Sequence, residues 1–310
     1  MRAAVGNAAA DAAGIELRGL VMTQRILLFA LLALCTSAAS AARYDKMRKQ
    51  VVASMLVTGE LVVAPDGTVE SYAIDRADAL PPEARQLIAK VVPTWELDAK
   101  QADGSPLQSP TAVRMSMQLL ARPIDGVDDR LRVTIEDTAF RDPNAPADVK
   151  RNGELAPPAY PVLAAHSGMT GTVYVLLRLN PDGTVAETHV ERVDMTVVSD
   201  EKTLLKFSKI LAKAAVGAAK QWTFNISPER LAHPAPVEVR VPVDFLMPGK
   251  TSTTEYGRWH AYVPGLYAPI PWRNPTADGG DAEDGIGALV PGQFYSTDAP
   301  FKLRGPKTGS

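Results

Sequence analysis

Residues 171–185 read GTVYVLLRLNPDGTV, and residues 59–70 read GELVVAPDGTVE. Both stretches place the turn residues Pro-Asp-Gly between two β-rich runs. Proline presets the backbone of a turn, aspartate bonds nearby backbone groups, and glycine accepts a positive φ, so each stretch predicts two antiparallel strands. Each copy is followed by a helix-like stretch, a lone tryptophan (Trp95 or Trp222) and a last strand. The chain therefore repeats one β-β-α-β unit.

The two units span residues 54–121 and residues 157–248. In each unit a helix with one apolar face follows the strand pair, and residues 203–220 form the longer of the two. The last strands, residues 111–120 and 236–246, alternate apolar and polar side chains, which is typical of half-buried strands. The pattern predicts an α+β fold with two small antiparallel sheets, each packed on helices.

Two further segments lack this pattern. Residues 122–156 contain one short β-like piece, residues 131–135, and a stretch rich in proline and charge, so we predict a linker. Residues 249–310 are rich in glycine, proline and charge and show no sustained hydrophobic period. We expect them to form a mostly disordered tail or to wrap over the two units.

Pro242, within the last strand of the second unit, cannot donate a ladder hydrogen bond and indicates an edge strand or a bulge.

Residues 1–42 hold an upstream extension and a secretory signal peptide, and we expect Met22 to be the natural start. A positive residue precedes the apolar run ILLFALLAL at residues 26–34, and small residues follow it. These features describe a cleavable signal with the cut after Ala41 or Ala42. The run is shorter than the ~20 residues that a spanning helix needs, so an inner-membrane anchor is the weaker alternative. Cleavage would place the protein in the periplasm.

The composition excludes several classes of function. Lysine and arginine number 33, and aspartate and glutamate number 35, for a net charge of -2. This balance gives no electrostatic basis for binding nucleic acid. The single cysteine, Cys35, cannot form an internal disulfide or a cysteine-based metal site.

No catalytic or metal-binding motif occurs in the sequence. None of the histidines has a metal-ligand spacing to another; they are His166, His189, His233 and His260. Asp66 and Asp182 each precede glycine in a turn, which favours a structural role over a catalytic carboxylate pair. We therefore predict that the protein is not an enzyme and uses neither a metal nor a cofactor. An enzyme whose site is assembled from residues distant in sequence is the remaining alternative.

Several short motifs of the second unit follow the order and spacing of a known family. They are Pro158-Ala159-Tyr160-Pro161, Gly168, Gly171-Thr172-Val173, Asp182-Gly183-Thr184-Val185, Gln221-Trp222-Thr223-Phe224 and the valine-rich last strand. With these motifs the second unit resembles the C-terminal domain of the TonB family. The first unit resembles the same domain over residues 59–120 but lacks the leading Tyr-Pro helix. The resemblance implies tandem TonB C-terminal-like domains, each with an α-β-β-α-β order and a three-stranded antiparallel sheet.

The resemblance also implies a binding surface. Members of the family use this domain in the periplasm to bind a short segment of an outer-membrane transporter, which adds to the exposed edge of the sheet. By analogy the edge is the last strand, and the predicted partner-binding residues in it are Val237, Val239, Val241 and Val243. Tyr160 and Pro161 match a motif close to the partner surface in the family. The alternative for this pair is a helix-opening proline beside a packed tyrosine.

Two functional hypotheses follow. The first is a periplasmic TonB-like protein that binds an outer-membrane transporter, another envelope protein or a peptide by sheet-edge recognition, linked to energy-dependent transport across the outer membrane. The second is a structural or assembly protein of the cell envelope that forms a homodimer through its sheet edges and transmits no force. Energy-transducing members carry a membrane anchor and a long proline-rich spacer. Here the apolar segment is short, and a second unit occupies the place of the spacer.

Overall fold

The structure of the protein is a computed structural model. It describes residues 51–99, 105–124, 131–141, 148–153, 155–247, 256–273, 285–291, 293–297 and 301–304. The predicted signal peptide and the expected start at Met22 lie outside the described residues, as does the proline-rich stretch 143–146. Within the described ranges, no helix combines the length and the apolar character that crossing a membrane requires.

The described residues form a mixed α and β structure. The strands are β1 (Val52–Val63), β2 (Val69–Ile74), β3 (Glu96–Ala99), β4 (Thr111–Pro123), β5 (Leu131–Arg141), β6 (Val149–Arg151), β7 (Gly171–Leu179), β8 (Val185–Met195), β9 (Phe224–Ile226), β10 (Val237–Phe245), β11 (His260–Tyr262), β12 (Tyr295–Ser296) and β13 (Phe301–Arg304). The α-helices are α1 (Pro82–Val91), α2 (Val162–His166), α3 (Glu201–Ala219) and α4 (Pro228–Ala232). Short 3-10 turns lie at Ala77–Ala79, Val92–Thr94 and Ile286–Ala288. The strand pairs are antiparallel, so the predicted α+β class is confirmed.

The first sheet has the strand order β11-β1-β4-β5, and β2 also pairs with β1. Alternate side chains of β1 and β4 point to one face, where Met55, Leu61 and Met117 are fully buried. Helix α1 begins with a proline in its first turn and turns Ile88 toward this face. Trp95 lies in the same core, with its ring edge against Phe140 at a centroid distance of 6.1 Å. Burial of these apolar side chains stabilises the first unit.

The predicted linker contains a full strand. The β-like piece that the sequence shows at 131–135 extends to Arg141 and pairs with β4. Ile135 lies opposite Leu119 and Asp137 lies opposite the preceding residue of β4, so Glu136 forms a β-bulge. The bulge interrupts the period of two, which is why the sequence pattern shows only the first part of the strand. The linker prediction for 122–156 is therefore corrected over residues 131–141, which belong to the first sheet.

The second sheet has the order β12-β10-β7-β8. Helix α3 packs on one face, and Asp200 caps its first turn by accepting the Thr203 N–H at 3.1 Å. Leu211 of α3 is fully buried against the sheet. Trp222 is buried in the same core, and its indole N–H donates to the Ala156 carbonyl at 2.9 Å. The longer elements follow in the order α2, β7, β8, α3 and β10, with only the short β9 and α4 between α3 and β10. This is the α-β-β-α-β order that the resemblance implies.

The turns after β1 and β7 share the same hydrogen bonds. Asp182 Oδ1 accepts the Thr184 N–H at 2.9 Å and the Thr184 hydroxyl at 2.6 Å. Asp66 accepts the equivalent bonds two residues later in its own turn, at 2.9 Å and 2.7 Å. Gly183 (φ 83°) and Gly67 (φ 93°) follow these aspartates, and a Cβ on Gly183 would lie 1.7 Å from a carbonyl oxygen of β9. The Pro-Asp-Gly stretches therefore shape turns that only glycine completes.

The described parts of the C-terminal segment pair with both sheets. Strand β11 pairs with β1 of the first sheet, and β12 pairs with β10 of the second. Strand β13 pairs with β3 in a separate two-stranded sheet. These strands have three, two and four residues, too few to show a hydrophobic period in the sequence. Tyr262, Ile286 and Phe301 are buried, so the segment contributes apolar area to the fold. The prediction of a mostly disordered tail is corrected for these parts, which wrap over the two units.

Candidate functional site

The predicted binding edge is strand β10. On one side β10 pairs with β7 over its whole length, from Val237 to Phe245. On the other side, within the described residues, only β12 pairs with it, at Val239 and Arg240. Strand β4 holds the equivalent place in the first sheet, and β5 covers its outer side over Arg114–Pro123. The outer edge of β10 therefore has much less strand pairing than that of β4.

The backbone of β10 presents alternate residues to this outer edge. Thr297 donates its N–H to the Glu238 carbonyl at 3.1 Å, so the backbone groups of Glu238 face away from β7. These groups alternate sides along a strand, which puts those of Arg240, Pro242 and Asp244 on the same outer side. Pro242 is accepted in the strand because its missing N–H faces outward. Pro242 therefore lies on an edge strand, which is one of the two interpretations, edge strand or bulge, that the sequence allows.

The four predicted partner-binding valines lie together on the inner face of β10. Their side chains are buried in the core beneath α3; they are Val237, Val239, Val241 and Val243. Their backbone groups point toward β7. A strand added to β10 would form hydrogen bonds with the backbone of the residues between the valines. The valines would stabilise the position of the edge strand through their packing in the core. Their part in partner binding stays a prediction.

Tyr160 and Pro161 lie at one end of β10. Pro161 is the residue before α2, and its extended backbone leads into the helix. The Tyr160 hydroxyl donates to the Met169 carbonyl at 2.6 Å, and its ring lies edge-on to Phe245, with centroids 5.7 Å apart. Burial raises the pKa of the Tyr160 phenol. The contacts are those of a packed tyrosine beside a helix-opening proline, and they also place Tyr160 next to the last residue of the edge strand.

Exposed apolar side chains lie on α2 and α3. Val162 and Leu163 of α2 are 70% and 50% exposed, and Leu205 of α3 is 56% exposed. A helical pattern does not show which apolar side chains remain uncovered, so these residues are not recognisable as surface from the sequence. Val162 and Leu163 directly follow the Tyr160-Pro161 motif and add apolar surface beside it.

The face of the second sheet opposite α3 carries a buried ion pair. The Arg240 Nε donates to Glu191 Oε2 at 2.9 Å, and its Nη2 donates to Oε1 at 3.0 Å. The Glu191 side chain is fully buried. Two parallel N–H···O bonds make the pair bidentate and directional. This buried pair is not predictable from the sequence pattern, because alternate charged residues in a strand usually indicate a solvent-facing side.

Glu238 holds the C-terminal segment on this charged face. Its carboxylate accepts the Trp272 indole N–H at 2.6 Å and a hydrogen bond from the Arg273 guanidinium. The Arg178 guanidinium stacks over the Trp272 ring at 4.8 Å. His189 contacts the same ring, and its Nε2 lies 2.9 Å from a carbonyl oxygen of the segment. These contacts give His189 a packing role.

A small polar pocket lies between the two sheets. Its polar lining includes Ser54, Gln118, Thr172, Tyr174, Asp194, His260 and Tyr262. Burial raises the pKa of Asp194, and the Arg192 guanidinium at 3.1 Å opposes this shift. In the part of the chain that the structure describes, no group of histidine, cysteine, aspartate and glutamate side chains is arranged to hold a metal ion.

The fold and its edge strand define a small α+β domain of the kind that can accept an added strand. Residues 156–247 match the family described as Gram-negative bacterial TonB protein C-terminal. The second unit is therefore a TonB C-terminal domain, and the resemblance drawn from its motifs is confirmed. The first unit lies outside the match, so the tandem arrangement stays a prediction. No curated protein and no solved structure matches the chain.

Proposed function

We propose that the protein is a TonB-like protein of the cell envelope that binds an extended segment of an outer-membrane transporter, or of another envelope protein, at the outer edge of β10. One observation carries this proposal. All nine residues of β10 pair with β7, whereas β12 covers two of them on the outer side. The family match over residues 156–247 supports it, because the resemblance to this family implies binding of such segments by strand addition.

Backbone hydrogen bonds would supply the first part of the binding energy. The outward N–H and C=O groups of an edge strand are a template for another strand, and each bond contributes a net ~0.5–1.5 kcal/mol. Side chains beside the edge would supply selectivity. Tyr160 lies at one end of β10, and Val162 and Leu163 offer apolar surface nearby. A partner segment with apolar side chains would therefore bury area as well as form a ladder.

The first unit would serve as a scaffold in this proposal. Strand β5 occupies the outer side of β4, whereas among the described residues only the short β12 pairs with the outer side of β10. The C-terminal segment joins the units, since β11 pairs with β1 and Val263 exchanges backbone hydrogen bonds with Met195 at 2.7 Å and 3.0 Å. Recognition would therefore fall to the second unit.

The mature protein is expected to begin at Ala42 or Arg43 and to be recovered from the periplasmic fraction. The reason is the signal-like N-terminus, whose small-residue site follows a short apolar run. Mass spectrometry of the purified protein's first peptide measures this, with an inner-membrane marker and a cytoplasmic marker followed in the same fractions. A protein retained in the inner membrane with residues 26–34 intact would contradict cleavage and would favour a role in force transmission.

Asp244→Pro is expected to weaken capture of the envelope partner by about fivefold, because it removes one outward-facing N–H from the edge. Val243 is extended in β10, which a following proline favours, and the strand already accepts Pro242. Quantitative affinity capture from envelope extract with the full chain measures the effect.

Asp244→Ala is the matched control for this variant. It also removes the carboxylate that accepts the Thr172 hydroxyl, but it keeps the backbone N–H. Capture by Asp244→Ala is expected to stay close to that of the wild type. An equal loss in both variants would assign the effect to the side chain, and no loss in Asp244→Pro would contradict binding at this edge.

The dimer hypothesis has one observation in its favour. Among the described residues, β4 is the one strand that pairs with β5, so no described strand lies along the outer side of β5. Light scattering over a wide concentration range distinguishes the two functions. A mass that doubles with concentration, together with no captured envelope protein, would favour the homodimer.

A further inference from the structure

Strand β12, in the C-terminal segment, lies where a partner strand would add to β10. Tyr295 is opposite Arg240, Ser296 is opposite Val239, and the Thr297 N–H reaches the Glu238 carbonyl at 3.1 Å. These are backbone contacts of an antiparallel ladder on the outer side of β10. The chain therefore occupies part of its own binding edge.

Side chains on both faces of the sheet hold this strand in place. Phe294 lies edge-on to Phe224 of the second core, with ring centroids 5.6 Å apart. Tyr295 packs on the other face in a cluster with Tyr174 and neighbouring apolar residues. Its hydroxyl accepts the Val290 N–H at 2.9 Å. Two adjacent aromatic side chains thus anchor the strand from opposite faces.

The ladder between β12 and β10 is short, because a proline of β10 lies where the ladder would continue. The register would set Gln293 opposite Pro242, which has no N–H to donate. Pairing accordingly covers two residues of β12, whereas β5 runs for eleven residues beside β4. A strand held by so few backbone bonds is a weaker competitor than a longer segment that pairs on both sides of this register.

We propose that β12 is a displaceable cap on the binding edge, and that the partner is an extended segment that places an apolar side chain at the position of Phe294 and an aromatic one at the position of Tyr295. This inference rests on the proposed function. The cap lowers the apparent affinity for the partner, because binding must first displace it. The cap also covers the edge against unspecific strand pairing when no partner is present.

A synthetic peptide tests the cap directly. The probe is fluorescein-labelled PGQFYSTDA, the sequence of residues 291–299, and its binding to the full chain is followed by fluorescence anisotropy. Thr297→Pro removes the N–H that bonds to Glu238, so this variant is expected to bind the probe about tenfold more tightly than the wild type. Thr297→Ala keeps the N–H and is expected to bind it as the wild type does. A probe with alanine at the Phe294 position is expected to lose about tenfold in affinity.

Phe294→Ala provides a second way to loosen the cap, in case proline at position 297 disturbs the fold. It removes the contact with Phe224 and is also expected to strengthen probe binding relative to the wild type. Equal probe binding by the wild type and both loosened variants, or no binding by any of them, would overturn the cap.

The cap and the proposed function can fail separately. If envelope protein is captured through β10 but the probe binds every variant alike, the function stands and the cap is wrong. If the loosened variants bind the probe but no envelope protein is captured, the cap stands and the proposed function is wrong.

Discussion

Glu191→Ala is expected to lower the free energy of unfolding by about 3–5 kcal/mol. The carboxylate is fully buried and forms a bidentate pair with Arg240, so its removal leaves a buried guanidinium without that counter-charge. Arg240 also lies at the point of β10 where β12 pairs. Loss of the ion pair would therefore loosen the binding edge as well as the fold. Urea denaturation of the purified chain, followed by circular dichroism, measures the change.

Glu187→Ala is the matched control on the same strand. Glu187 also pairs with an arginine, Arg178, at 2.8 Å, but its side chain is 49% exposed. Solvent screens an exposed pair, so the expected loss is at most about 1 kcal/mol. Similar losses for Glu187→Ala and Glu191→Ala would contradict the assignment of a stabilising buried pair on β8.

Gly183→Ala is expected to destabilise the protein by about 3 kcal/mol. The residue has a left-handed backbone (φ 83°), which costs a residue with a Cβ roughly 1–2 kcal/mol. Its Cβ would also lie 1.7 Å from the Phe224 carbonyl oxygen, so the turn and β9 must separate. This second cost is steric, and thermal unfolding of the variant measures the two together.

Gly168→Ala separates the two costs. Gly168 also has a positive φ, of 62°, but a Cβ there would meet no atom within 4 Å. We expect a loss of about 1 kcal/mol, from backbone strain alone. If Gly168→Ala and Gly183→Ala had equal effects, the close approach of the turn to β9 would not contribute to stability.

Features with local causes were predictable from the sequence. The turn at Asp182 and Gly183 depends on hydrogen bonds within a few residues, and so does its counterpart at Asp66. The helix α3 follows from a period that buries Leu204, Phe207 and Leu211. These elements, with the motifs around them, were enough to recognise the TonB C-terminal domain that the family match confirms.

Features that depend on distant contacts were not predictable in the same way. Trp272 and Arg273 bind Glu238 on the charged face, and no pattern within β10 indicates these contacts. The partial cap on the binding edge depends on a strand of two residues. A bulge in β5 interrupts the alternation of inward and outward side chains. The sequence pattern therefore predicts a strand that is shorter than the one in the structure.

The proposed function places the partner on one side of one strand. Hydrogen exchange with mass spectrometry, on the complex recovered by affinity capture, compares residues 237–245 of β10 with residues 131–141 of β5, the outermost strand of the first sheet. We predict that exchange over 237–245 slows by at least about tenfold on binding, because a new ladder protects the outward amides, while exchange over 131–141 does not change. Slowing over 131–141 instead, or no slowing in either segment, would contradict recognition at the edge of β10.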